Sequence, residues 1–78
     1  MSYGYSQSLA YANKKASAKS LGVALGRVCI AKGISVAAIA DRFEVSRMTV
    51  YNWFKGDTHP HPALTDAIQG YIKTQSKK

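Results

Sequence analysis

The chain predicts an all-α domain of four to five helices, and three features of the sequence carry that expectation. Apolar residues between positions 20 and 72 recur at spacings of three and four, the period of one helix face. Ser, Gly and Pro separate the apolar runs at places where helices start and stop. No stretch alternates apolar and polar residues as a half-buried strand does. At 78 residues a single domain is expected.

Residues 1–17, MSYGYSQSLAYANKKAS, are rich in Ser, Tyr, Ala and Lys and lack a sustained apolar face. They are expected as a flexible basic arm, with at most a helical turn near residues 9–14. From Ser20 the pattern changes. Leu21, Ala24, Leu25, Val28 and Cys29 form the buried stripe of a helix that ends near Gly33. Gly22 and Gly26, four residues apart, would let that helix lie close to a neighbour. Ser35 is an N-cap for a short second helix, with Val36, Ile39, Ala40 and Phe43 as its inward face. Ser46 is the next N-cap, and Gly56 stops the helix over residues 47–55 where a left-handed residue is tolerated. The run DTHPHP is a loop. Pro62 suits the first position of a last helix, whose apolar side is Leu64, Ala67, Ile68, Tyr71 and Ile72. The end of the chain, TQSKK, is expected to fray. The domain reading is therefore an arm over 1–17, a folded domain over 18–75 and a frayed tail over 76–78.

A composition of 46% hydrophobic and 19% charged residues is globular, not disordered. The 11 Lys plus Arg against 4 Asp plus Glu leave a formal charge of +7, which favours a polyanionic partner, nucleic acid before an anionic membrane. Cys29 is alone, so an intrachain disulfide is excluded, and it is expected as a buried thiol. His59 and His61 stand in a Pro-stiffened loop with only Asp57 nearby, so neither a metal site nor a cofactor is expected. Residues 1–18 are polar and resemble no secretory signal. LGVALGRVCIA is too short to span a bilayer and is interrupted by Arg27, so a cytoplasmic protein without a membrane partner is expected. No nucleophile–base pair, carboxylate pair or phosphate-cradling glycine loop is present, so no enzyme is expected.

Two short helices joined by about three residues, each with one buried face, make helix-turn-helix geometry. VAAIADRFEVSRMTVYNWFKG, residues 36–56, resembles the helix-turn-helix of the lambda-repressor and Cro-like family. Ala40 fills the family's small-residue place in the first helix. Phe43 and Val45 match the apolar positions on either side of the turn, and Val50 and Trp53 match those that anchor the second helix. The turn position, commonly Gly, is Glu44, for which a left-handed conformation costs about 1 kcal/mol. KGDTHPHPALTDAIQGYI also looks like the family's continuation, so the resemblance covers roughly residues 20–72.

At about 100° per residue, Ser46, Val50, Trp53 and Phe54 fall on one side of the helix over 47–55. Met48, Tyr51, Asn52 and Lys55 fall on the other, flanked by Arg47 and Thr49. The resemblance implies that this outer face enters the major groove of double-stranded DNA. Arg47 suits guanine and Asn52 suits adenine, each bidentately, while Met48 and Tyr51 offer apolar contact to a thymine methyl. Ser46, Thr49 and Lys55 suit phosphates, and Lys14, Lys15 and Lys19 are expected to join them from the arm. The resemblance thus implies a small, phage-type transcriptional regulator acting in the host cytoplasm, with a homodimer on half-sites about one helical turn apart and the host transcription machinery as further partners. Two other functions stay open. One is an interaction module that binds a host factor such as RNA polymerase or a nuclease through the same surface. The other is a nucleic-acid coating protein, with Tyr3, Tyr5 and Tyr11 stacking on single strands beside the three lysines.

Overall fold

Three successive helices share one local punctuation at their C-terminal ends, and two of them a serine cap at their starts. In a computed structural model, which describes residues 7–16 and 19–76 with side chains from Leu9 to Gln75, helix α2 (Leu21–Lys32) ends at Gly33 with φ 74°. Helix α3 (Val36–Phe43) ends at Glu44 with φ 58°, and helix α4 (Arg47–Lys55) ends at Gly56 with φ 84°. Each left-handed residue turns the chain so that the following N–H reaches back. Ile34 N donates to Cys29 O at 2.9 Å, Val45 N to Ala40 O at 3.0 Å and Asp57 N to Asn52 O at 3.0 Å. These bonds satisfy carbonyls that a helix end would otherwise leave orphaned. At the starts, Ser35 Oγ accepts from Ala38 N and Ser46 Oγ from Thr49 N, both at 3.1 Å. The expected turn at Glu44 is therefore present, three residues long, and strained by a non-glycine left-handed backbone.

The core is built on α4. Val50, Trp53 and Phe54 are buried with Leu25 and Cys29 of α2 and with Val36, Ile39 and Ala40 of α3. Helix α2 crosses α4 at its two glycines. A Cβ added to Gly22 would lie 2.8 Å from both Cβ and the carbonyl oxygen of Trp53. At Gly26 it would lie 2.8 Å from Phe54 Cγ and 2.6 Å from Asn13 Nδ2. The small-residue crossing expected at this spacing is thus present. It rotates the buried stripe of α2 from the expected one: Val23 is fully buried, while Ala24 and Val28 are only half-buried.

The largest correction is at the N-terminus. Residues 7–15, expected within a flexible arm, form helix α1 (Gln7–Lys15), which packs on α4 and α2. Leu9 enters the core, and Asn13 is 2% exposed. The Asn13 amide donates to Phe54 O at 2.7 Å and to Val23 O at 3.1 Å. Arg27 Nη2 donates to the α1-terminal carbonyls of Ala16 at 2.8 Å and Lys14 at 3.0 Å, with Asn13 O farther away at 3.4 Å. Residues 1–6 and 17, the rest of the expected arm, lie outside the described residues, as does residue 18.

A 3-10 turn, Pro62–Leu64, leads into helix α5 (Thr65–Ser76). Pro62 takes the first position, as expected, and His61 Nδ1 accepts from Ala63 N at 3.0 Å. Ile68 is fully buried, with Leu64, Tyr71 and Ile72 packed at the core margin. Two expectations are corrected here. Ala67 is exposed, and the helix continues from Thr74 through Ser76 where fraying was expected, while residues 77–78 of the expected tail lie outside the described residues. Phe43 ties three helices together through edge contacts with Trp53 at 6.5 Å and Tyr71 at 6.0 Å between ring centroids.

Two glycines of similar helical setting should respond oppositely to alanine. Gly26→Ala should lower stability by about 1–3 kcal/mol, because the new methyl overlaps Phe54 and Asn13. Gly70→Ala, which meets nothing within 4 Å, should raise it by up to about 1 kcal/mol. Denaturant midpoints of the two variants check both signs.

Burial pushes the Cys29 thiol up to about 12 from an ordinary 9.0. Between those values the unfolded chain loses its thiol proton while the folded one keeps it. The contribution is therefore complete below pH 9 and lost as pH rises toward 12, at up to about 1.4 kcal/mol per unit. Urea unfolding at pH 8 and at pH 10.5 should show this loss in the parent and a smaller one in Cys29→Ala.

Candidate nucleic-acid interface

Helix α4 is held from one side only. Val50, Trp53 and Phe54 face inward, and the opposite side carries Met48 at 65% exposure with Arg47 and Lys55 also exposed. Thr49, Tyr51 and Asn52 are half-buried at the flanks and centre of that outer side. An exposed Met at the second position of a helix has no packing role to explain it. Among the described residues, the Arg47 side chain makes no hydrogen bond or ion pair either. Both are therefore unengaged within the fold, which is what a surface that meets an outside ligand requires.

The other expected residues divide by what already occupies them. Ser46 is exposed, but its hydroxyl serves as N-cap and also lies 2.9 Å from Thr49 Oγ1. The two hydroxyls thus form a pair at the N-terminus of α4, where the helix dipole favours an anion. Tyr51 packs against the core margin, so its ring is shared between the fold and the surface. Lys55 Nζ lies 3.4 Å from Asp57 Oδ2 in an ion pair with both side chains well exposed, worth little in water. Lys14, Lys15 and Lys19 are exposed. Lys15 Nζ sits 5.2 Å from the Tyr11 ring centroid, over an exposed aromatic face. Lys14 and Lys15 end α1, and α1 reaches the far end of α4: a Cβ on Gly56 would come within 3.4 Å of Ala16 Cβ.

Sequence reasoning missed two residues that shape this surface. Asn13 and Arg27 hold α1 against α4 and α2, although one looked like arm and the other like an interruption in an apolar stripe. The signal present was faint: Leu9 and Asn13 are spaced by four, with polar Asn standing where an apolar residue is sought. Arg42, which was given no role, stacks over the Tyr71 ring at 4.8 Å beside an open groove of about 630 Å³ between the turn and α5. Among the described residues no group of three or more His, Cys, Asp or Glu side chains could hold a metal ion, and no helix is long and apolar enough to cross a membrane. His59 instead meets Ser20 Oγ at 3.3 Å, tying the loop to the start of α2.

Residues 24–57 match the family model of the homeodomain-like domain, a helix-turn-helix class. The matched span starts inside α2, takes in all of α3 and α4 and leaves α1 and α5 outside. It supports a helix-turn-helix DNA-binding family without singling out the lambda-repressor and Cro-like branch. No curated protein and no solved structure matches the chain.

The Ser46 cap can be separated from any role toward ligands. Ser46→Ala should cost about 1 kcal/mol by leaving the Thr49 N–H unpaired, whereas Ser46→Asp should keep the cap and melt with the parent. Thermal unfolding of both variants checks this.

Proposed function

We propose that the protein binds double-stranded DNA in a sequence-dependent way and works as a small transcriptional regulator, with α4 as the recognition helix. The observation that carries this reading is the division of α4 into a buried apolar side and an outer side of exposed Arg47, Met48 and Lys55 with half-buried Tyr51 and Asn52. The homeodomain-like match over residues 24–57 and the +7 charge support it. Such helices dock in the major groove, where each base pair shows a distinct pattern of donors, acceptors and methyl groups.

On this reading Arg47 and Asn52 read bases through paired hydrogen bonds, while Met48 and the exposed part of Tyr51 meet thymine methyls. Ser46, Thr49 and Lys55 contact phosphates and set the register. The lambda-repressor-like resemblance extends the proposal to occupation of an operator by a homodimer, with half-sites about one helical turn apart. Of the residues on which the single-strand coating alternative rests, Tyr11 is exposed beside Lys15, and Tyr3 and Tyr5 lie outside the described residues.

Selection from a random duplex library should return a preferred sequence, bound with a steep fall in affinity as salt rises. Arg47→Ala and Asn52→Ala should each relax the preference at particular positions, losing about 1–3 kcal/mol there. Lys55→Ala should weaken all duplexes alike. Uniform losses from all three variants would refute the division between base and phosphate contacts. A flat salt profile would point to a protein partner instead.

A further inference from the structure

Helix α1 lies outside the residues that match the homeodomain-like model, yet the fold fixes it to the recognition helix with unusual care. Asn13 is buried to 2% exposure, and both hydrogens of its amide are used. One goes to Phe54 O, in the last turn of α4, and the other to Val23 O of α2. Gly26 leaves the space this amide occupies. Arg27 then closes the far end of α1 by donating to the carbonyls of Lys14 and Ala16. The outcome is that the C-terminal end of α1, which carries exposed Lys14 and Lys15, is fixed near the end of α4: a Cβ on Gly56 would come within 3.4 Å of Ala16 Cβ, the residue that follows Lys15. None of the four acidic residues of the chain lies on α1.

A nine-residue helix is about 13 Å long, close to the roughly 12 Å width of the major groove. A recognition helix docks with its N-terminal residues at the base edges, which leaves its C-terminal end toward the phosphate backbone. Contacts from the C-terminal end of a recognition helix to the backbone are part of the docking geometry of helix-turn-helix proteins. We propose that α1 is a fixed phosphate-binding platform of the same interface: Lys14 and Lys15 meet the duplex backbone beyond the C-terminal end of α4, and Asn13 is the residue that positions them. This rests on duplex binding by α4. It replaces a flexible arm that finds phosphates after docking with a rigid element already in register, which spares the ordering entropy at the moment of binding.

Coupling of this kind is reciprocal. If the Asn13 latch holds the lysines in place for the backbone, the backbone must hold the latch shut. The experiment uses the full chain, a labelled 20-base-pair duplex of mixed sequence, and the variant Lys14→Gln/Lys15→Gln, which changes only exposed side chains. The variant should melt with the parent and lose about two units of salt slope, so that its fall in affinity over a fourfold rise in salt is smaller by roughly tenfold. Exchange of the Asn13 side-chain amide, followed by NMR, should slow on adding duplex to the parent. In the variant it should slow much less, while the backbone amides of Leu25 and Val50 stay equally protected in both. A parent that fails to bind duplex at all would sink the functional reading itself. A parent that binds with the same slope as the variant would overturn the platform alone. Asn13 protection that tracks Leu25 and Val50 in both proteins would reduce Asn13 to a structural residue and overturn its positioning role.

Discussion

The close crossing of α2 over α4 is the constraint on which the rest of the molecule depends. With no side chain at Gly22 or Gly26, the α2 backbone comes against Trp53 and Phe54 directly. That approach buries Phe54 completely and turns α2 so that Val23, Leu25 and Cys29 all face inward. It also leaves the slot into which the Asn13 amide fits, so α1 can dock only because Gly26 is there. A side chain at either glycine would push α2 outward. The loss would then propagate to α1 through Asn13 and Arg27, and to the carbonyl of Phe54, which would lose its Asn13 donor in a buried place. Helix α4 is thus aimed by residues that never reach its outer face.

The helix-turn-helix was legible in the sequence because its rules are local. Ser35 and Ser46 at helix starts, and Gly33, Glu44 and Gly56 at helix ends, act within a few residues of themselves, and the structure shows all five in those places. The inward stripe of α3 was legible for the same reason: Val36, Ile39 and Ala40 keep a strict helical period. What escaped was non-local. The face of α1 is carried by Leu9 and Asn13, and an Asn reads as polar until its partners, Val23 and Phe54, are known to be near. The stripe of α2 shifted because glycines, which carry no apolar signal, turned out to mark the tightest contact. Ala67 was assigned inward by period alone, whereas α5 packs chiefly on α2, with Tyr71 against Phe43, and leaves Ala67 exposed. Of the expected base-contacting and phosphate-contacting residues, Arg47, Met48, Ser46, Lys55, Lys14, Lys15 and Lys19 are exposed while Thr49, Tyr51 and Asn52 are half-buried, and how far each is already engaged was not legible. Tyr51 at the core margin and Ser46 as a cap show that difference.

Charge shows why engagement matters more than count. The formal +7 treats every cation alike, but the fold does not. Arg27 spends its donors on the carbonyls that end α1, and Arg42 lies over Tyr71. Arg27 is thereby tied to the fold through Nη2, whereas Arg42 keeps an exposed guanidinium above the ring. Lys55 is shared with Asp57 through an exposed pair that a phosphate could displace at little cost. Arg47, Lys14 and Lys15 are exposed at opposite ends of the α4 region. The exposed cations are therefore not equivalent: Arg47 and Lys55 stand at the two ends of α4 and Lys14 and Lys15 at the end of α1, while Lys19, Lys32, Arg42 and Lys73 are exposed elsewhere.

The division of labour on α4 has a consequence for how such a surface can change. Val50, Trp53 and Phe54 carry its packing, while Ser46, Glu44 and Gly56 carry its ends. Arg47, Met48 and Asn52 carry neither in their side chains; the one tie is the main-chain carbonyl of Asn52, which accepts from Asp57 N whatever the side chain is. Substitution at these three positions leaves every buried apolar contact and every cap in place, so stability sets almost no limit on them. Tyr51 is the exception, since its ring belongs partly to the core margin and a smaller residue there would uncover it. A helix built this way can hold its orientation while the chemistry of its outer face varies. That separation, more than any single contact, is what frees the exposed side of α4 to vary.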